Sequence, residues 1–147
     1  MLKVTTSGNA GNAARKFVAG ASGWIERGLV AACIVIEDHV LKEIKAKHIV
    51  DTGRLRGSIT YATSTKRSYP KGEAKGSDAV SAPTFKGIGH VGTNVEYAEY
   101  VEYGHRTRGG GRVAPRSYMR AGLDKGKRKA IAAYNKFGPQ GGLRGSK

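Results

Sequence analysis

From about Ala13 to Lys47 apolar residues recur at steps of three and four, with Ile25, Leu29, Cys33, Ile36, Val40 and Ile44 in one stripe. That is the pattern of a helix with a single buried face. Gly20, Gly23 and Gly28 each weaken it by about 1 kcal/mol relative to Ala, so a break or bend is expected near residues 20–23. The lysine-rich end, Lys42 to Lys47, suits the negative pole of the helix dipole. Asp51-Thr52-Gly53 then marks a turn. Beyond it Ile59, Tyr61 and Thr63 alternate with Ser58, Thr60 and Ala62, the period-two pattern of a half-buried strand. A second strand is expected over Gly87 to Val95. Residues 64–86 between them are rich in Lys, Ser, Gly and Pro and carry no period, far too long for a hairpin turn. They read as a segment that is disordered in isolation or serves as a contact arm.

Tyr97, Tyr100 and Tyr103 repeat every three residues with Glu96, Glu99 and Glu102 interleaved, which predicts a short helix with a tyrosine face beside an acidic one, ending at Gly104. Residues 105–114, with Gly109-Gly110-Gly111 and three arginines, predict a flexible basic loop. Pro115 suits the first turn of a final helix, whose inward stripe would be Met119, Leu123, Ala130 and Tyr134, as far as about Phe137. The pattern gives an α+β fold: a long N-terminal helix packed on a small antiparallel β-sheet with a long inter-strand loop, then a short helix and a C-terminal helix. Residues 1–12 form a flexible arm, 13–137 a single domain with long basic loops at 64–86 and 105–114, and 138–147 a basic tail.

At 147 residues the chain suits one domain. Lys and Arg number 26 against 11 acidic residues, a net charge of +15. Such a field favours acidic partners such as nucleic acid, an anionic membrane or an acidic protein ring, and serves equally well as a solubilising surface. Cys33 stands alone, so no intramolecular disulfide forms, and its apolar neighbours mark it as a small core residue. The apolar run from Leu29 to Ile36 falls far short of the roughly 18 residues a membrane span needs, and Met1 to Ala10 lacks a signal-peptide core. A soluble product of a reducing cytosol is expected.

Four features bear on chemistry. Asp51-Thr52-Gly53 matches the aspartic-protease tripeptide, but that chemistry needs two carboxylates sharing a proton and the chain holds one copy, so a turn is the better reading. His39, His48, His90 and His105 lack metal-ligand spacing. Gly109 to Gly111 lack the Lys and Ser or Thr register of a phosphate loop. No catalytic, metal or cofactor residue is therefore assigned. The cluster Arg106, Arg108, Arg112, Arg116, Arg120, Lys125, Lys127, Arg128 and Lys129, offset only by Asp124, can touch phosphates without reading sequence.

Three segments together resemble a family of tailed-bacteriophage tail components, the tail-completion or head-to-tail joining neck proteins of siphophage-type virions. His48-Ile-Val-Asp-Thr-Gly-Arg-Leu-Arg-Gly-Ser-Ile59 is close to V-D-T-G-x-L-R-x-S-I after a long helix. Val91-Gly-Thr-Asn-Val-Glu-Tyr-Ala-Glu-Tyr-Val-Glu-Tyr-Gly104 is similar to V-G-x-x-x-x-Y-A-x-Y-V-E-F-G. Ala114-Pro-Arg-Ser-Tyr-Met-Arg-Ala-Gly-Leu-Asp124 resembles an ending in P-F-L-R-P-A, departing from it at Arg116-Ser117 and Ala121-Gly122. The resemblance implies a non-enzymatic virion subunit without a cofactor, made in the host cytoplasm and built into a ring, commonly a homohexamer, at the head-proximal end of the tail. Its neighbours would be the tail terminator, the tail tube and head-completion or connector proteins, with non-specific contact to packaged DNA and none to membrane. Asp51, Thr52, Gly53, Leu55 and Arg56 would fix the turn from helix to sheet. Tyr97, Tyr100, Glu102 and Gly104 would shape the short helix and its exit, and Pro115 the approach to the last one. Lys66 and Arg67 in the first long loop, and Arg106, Arg108, Arg112, Arg116 and Arg120 further on, would dock on acidic surfaces of adjacent rings.

Overall fold

The apolar stripe of the first helix finds its partners on two sides. A computed structural model of the chain describes residues 9–49 and 53–137. Helix α1 spans Asn9–Ala46, 38 residues and about 57 Å at 1.5 Å per residue. It starts four residues earlier than the stripe predicts, taking residues 9–12 from the expected arm, and it runs unbroken through Gly20 and Gly23. Each glycine costs only about 1 kcal/mol, whereas a new end would leave a set of backbone groups unpaired, so the helix propagates through them. Residues 1–8, 50–52 and 138–147, with the rest of the expected arm and the basic tail, lie outside the described residues.

After Gly53 a five-residue helix α2, Arg54–Ser58, precedes strand β1, Thr60–Thr63. Sequence periodicity misses α2 because one and a half turns carry no repeat. Strand β2, Gly89–Gly92, pairs antiparallel with β1, Thr60 opposite Gly92 and Thr63 opposite Gly89. It is shorter than the predicted 87–95 because Val95 turns into the core and Asn94 Nδ2 donates to the Ala79 carbonyl. Within β1 it is Thr60, Ala62 and Thr63 that are buried, with Tyr61 half-exposed. Helix α3, Ala98–Tyr103, is followed by a small ribbon of β3, His105–Arg106, and β4, Arg112–Val113, and then by α4, Tyr118–Phe137. The α+β architecture is as the pattern predicts.

The long segment between β1 and β2 carries structure of its own. The Thr63 N–H donates to the Lys66 carbonyl, Arg67 bridges Ala62, and the Ser68 N–H donates to the Tyr61 carbonyl, so the chain folds straight back along β1. Further on the Lys71 N–H donates to the Gly57 carbonyl, a 3-10 turn forms over Gly76–Asp78, the Val80 N–H donates to Thr60 Oγ1, and Ala79 bridges Thr93. Such backbone pairing leaves no period in the side chains, which is why composition alone suggests disorder.

Val40, Ile44, Ile49, Leu55, Ile59, Val95, Ala98 and Tyr118 form the core, where α1, α2, α3 and α4 meet. Each large apolar side chain buried there contributes about 1.5–3 kcal/mol. Helix α4 runs antiparallel to α1: Lys47 Nζ donates to the Ser117 carbonyl at one end and Lys125 pairs with the buried Glu43 at 2.5 Å. Its buried residues are Tyr118, Gly122, Gly126 and Ala130; Ala130 is as the stripe predicts, but at the helix start the buried positions fall one residue before the predicted Met119 and Leu123, and Leu123 is 52% exposed. The contact is made by the absence of side chains. A Cβ on Gly122 would sit 2.6 Å from Val40 Cγ2 and 2.7 Å from its Cα, so the two helices touch nearly backbone to backbone.

Candidate interaction surface

The three segments singled out in the sequence come together at one end of the domain. Gly53 starts α2 with φ +80°, a left-handed conformation that glycine adopts without strain. Leu55 is in the core and Arg56 is exposed. Asp51 and Thr52 lie outside the described residues. Tyr97 precedes α3 and is half-buried, whereas Tyr100 and Tyr103 are 58% and 65% exposed. Gly104 turns the chain into the ribbon at φ +72°, and a side chain there would collide with the Val113 carbonyl. Pro115 is not in the first turn of α4. It lies in the extended stretch before it, because the Arg116 N–H is already paired with the Val101 carbonyl and the helix begins only at Tyr118.

What fixes that start is Glu102. The alternation of Tyr and Glu predicts an acidic face beside a tyrosine one; Glu99 is exposed, but Glu102 is only 6% exposed. Its Oε2 accepts from the backbone N–H groups of Tyr118 at 2.8 Å and Met119 at 2.9 Å, and its Oε1 from that of Arg120 at 3.2 Å. A carboxylate thus satisfies three unpaired donors of a helix 16 residues downstream and faces the positive end of its dipole. The Ser117 hydroxyl donates to the Glu102 carbonyl as well. Burial, and secondarily the Glu102 charge, raise the ionisation of the Tyr118 phenol well above its ordinary range.

A second tie was invisible in the sequence. Arg54 places Nε and Nη2 on the two carboxylate oxygens of Asp78, at 2.9 and 2.8 Å, and also reaches Glu96 at 3.1 Å. Asp78 is 2% exposed, and the Lys75 N–H donates to it at 2.8 Å. The Arg54 guanidinium and then the Lys75 N–H hold its carboxyl down at about 2. One guanidinium therefore clamps α2, the long segment and the approach to α3. Partners 24 and 42 residues away leave no local spacing by which to find it.

The basic residues divide into two groups. Lys66 and Arg67 are exposed in the fold-back beside β1, where Arg67 lies over the Tyr69 ring at 5.4 Å; they share a recess with Tyr61, Ser64 and Thr65. Arg106, Arg108 and Arg112 are on the β3–β4 ribbon, with Arg116 just after it, and Arg120 lies over the Tyr103 ring at 6.0 Å. The expected loop of 105–114 is thus a short hairpin, held by Thr107 N–H to the Gly111 carbonyl at 2.8 Å and by an edge contact of His105 with Tyr100. In its register Arg106 lies directly opposite Arg112.

Two concavities flank this end. A cleft of about 500 Å³ is lined by His48, Gly53, Leu55, Tyr100, Val101 and Ala114, drawn from all three segments. A groove of about 680 Å³ runs between α1, β2 and α4 past Cys33, Ile36, Val91, Met119 and Leu123. Among the described residues no group of His, Cys, Asp and Glu is disposed to hold a metal ion, and no helix is long and apolar enough to cross a membrane. Comparison of the chain with protein-family models, curated proteins and solved structures finds no match.

Proposed function

We propose that the chain is a structural, non-enzymatic subunit of a tailed-bacteriophage virion, a tail-completion or neck protein that joins head to tail as one member of a ring. The observation that carries this reading is the convergence of the three family-like segments on a single cleft, where their residues serve the scaffold. Leu55 fills the core, Glu102 starts α4, and Gly104 launches the ribbon. A motif that works by fixing helix ends and turns is what a ring subunit needs, because each copy must present the same rigid surface to its neighbours. The exposed Tyr100 and Tyr103 suit that surface, since tyrosine is enriched where protein interfaces form. The tail terminator, tail tube and head-completion or connector proteins are the proposed neighbours, and the virion neck the proposed location.

Electron microscopy of lysates from a phage carrying this gene with an early stop codon tests the reading. DNA-filled heads beside unattached or abnormal tails are expected. Intact infectious virions would overturn it.

A further inference from the structure

The β3–β4 ribbon combines three features. It is exposed throughout, from His105 to Val113. It sets Arg106 opposite Arg112, with Arg108 between them in the turn, and like charges directly across an antiparallel pair are destabilising. Among the described residues none of these three guanidinium groups has an ion pair or a side-chain hydrogen bond. Elsewhere in the fold Arg54, Lys42, Lys47, Lys125 and Lys127 have carboxylate partners, and exposed cations without one, such as Arg27, Lys45 and Lys86, do not face another cation across a strand pair. The ribbon is therefore a site of concentrated, uncompensated charge whose own geometry calls for an anion.

The chemistry of the ribbon selects among anions. A protein interface is built on buried apolar anchors, and here Val113 is the sole apolar side chain from 105 to 113. A single nucleic-acid strand is held by bases stacked on free aromatic rings, yet the ribbon's one ring, His105, is already engaged by Tyr100. A duplex offers what three arginines without apolar or aromatic anchors can use, a dense and regular array of phosphates. Gly109 and Gly110, with no side chains and nothing near their Cβ positions, allow the backbone of the tip to approach such a surface closely. Arg116 and Arg120 continue the cationic row towards α4.

We infer that the ribbon binds the phosphodiester backbone of double-stranded DNA, through Arg106, Arg108 and Arg112, without reading its sequence. This goes beyond the assembly role and does not depend on it, since it is measured on the purified full-length chain. Fluorescence anisotropy with short labelled duplexes of two unrelated sequences, titrated with salt, is the test. Both duplexes should bind alike. R106Q/R108Q/R112Q should lower affinity at least about tenfold at low salt and flatten the dependence of log K on log salt by about 2.7, near 0.9 for each phosphate that is no longer neutralised. R27Q/K45Q/K86Q, which removes the same charge from other exposed positions, should leave the affinity within about twofold. Equal losses in the two triple variants would reduce the effect to bulk charge and overturn the inference. Tighter binding to the matching single strand, or displacement of the duplex by polyglutamate at equal charge concentration, would overturn it too. Arginine modification of the unaltered chain, mapped by mass spectrometry, covers the case in which the ribbon variant misfolds. Duplex should protect Arg106, Arg108 and Arg112 selectively, and unprotected ribbon arginines would refute the assignment.

Discussion

Removing the Glu102 carboxylate tests the proposition that a side chain on α3 starts α4. In Glu102→Ala the three N–H groups of Tyr118, Met119 and Arg120 lose their acceptor. Arg120 is exposed and Met119 half-buried, so water can replace part of what those two lose. Tyr118 is 1% exposed, and an orphaned buried donor there costs about 1–3 kcal/mol. Losing the negative charge from the positive end of α4 adds up to about 2 kcal/mol in a partly buried setting. Together these give about 1–5 kcal/mol, centred near 3, a large share of the roughly 5–15 kcal/mol by which a domain is held folded. Glu102→Gln keeps one carbonyl oxygen on the same stem and should lose about half as much, roughly 1–2 kcal/mol. Urea unfolding followed by circular dichroism measures both, and the order wild type, Gln, Ala in midpoint is the expected result. A loss below about 1 kcal/mol for Ala, or Gln as damaging as Ala, would mean that α4 is set by packing and that the carboxylate is incidental.

Gly122→Ala should destabilise by about 1–3 kcal/mol in the same assay despite its gain in helix propensity, because the new methyl meets Val40 backbone atoms; Gly109→Ala, in open space, should stay within about 0.5 kcal/mol. Asp78 has its carboxyl held at about 2 in the folded chain against an ordinary 3.8. The folded state therefore binds this proton less readily than the unfolded one, and the associated stability is present above about pH 4 and lost as pH falls towards 2. Urea midpoints across that window should drop for wild type and vary less steeply for Asp78→Asn. Burial, aided by the nearby Glu26 and Glu37 charges, pushes the Cys33 thiol up to about 11. It should resist a disulfide reagent in native buffer and react in step with urea unfolding; labelling of the folded chain at a free-thiol rate would contradict its burial.

How much of this was legible follows from what each contact is made of. The α1 stripe was plain because Cys33, Val40 and Ile44 are apolar side chains at helical spacing, and they are buried as that spacing requires. The α4 stripe was misread for the opposite reason. Its buried face consists largely of glycine, Gly122 and Gly126, so apolar periodicity points one residue away, to Met119 and the exposed Leu123. The four-residue spacing of Tyr118, Gly122, Gly126 and Ala130 was the available signal, a small-residue stripe to set beside the apolar one. Glu102 was visible as part of an acidic repeat, but its neighbour Glu99 is exposed and nothing local separates the two. Only the chain returning at Tyr118 makes one a cap and leaves the other in solvent. The ribbon was read as a flexible loop because two-residue strands fall below any periodicity.

The acidic residues show why the net charge understates the asymmetry of the surface. Of the 11 in the sequence, eight are committed within the fold. Glu26 accepts from Thr65, Glu37 from Ser68 and Asp38 from Lys42. Glu43 takes Lys125, Asp78 and Glu96 share Arg54, Glu102 takes the start of α4, and Asp124 takes Lys127. Glu73 and Glu99 are exposed, and Asp51 lies outside the described residues. Six of these eight carboxylates join segments distant in sequence, while Asp38 and Asp124 pair within their own helices. The arginines of the ribbon have no such duty, since β3 and β4 are held by backbone bonds and by Gly104. A cation that supports nothing inside the molecule and sits opposite another of its kind weakens the fold slightly. Its presence is then best explained by an anion outside the molecule, and that argument rests on the distribution of the charge, whatever its total.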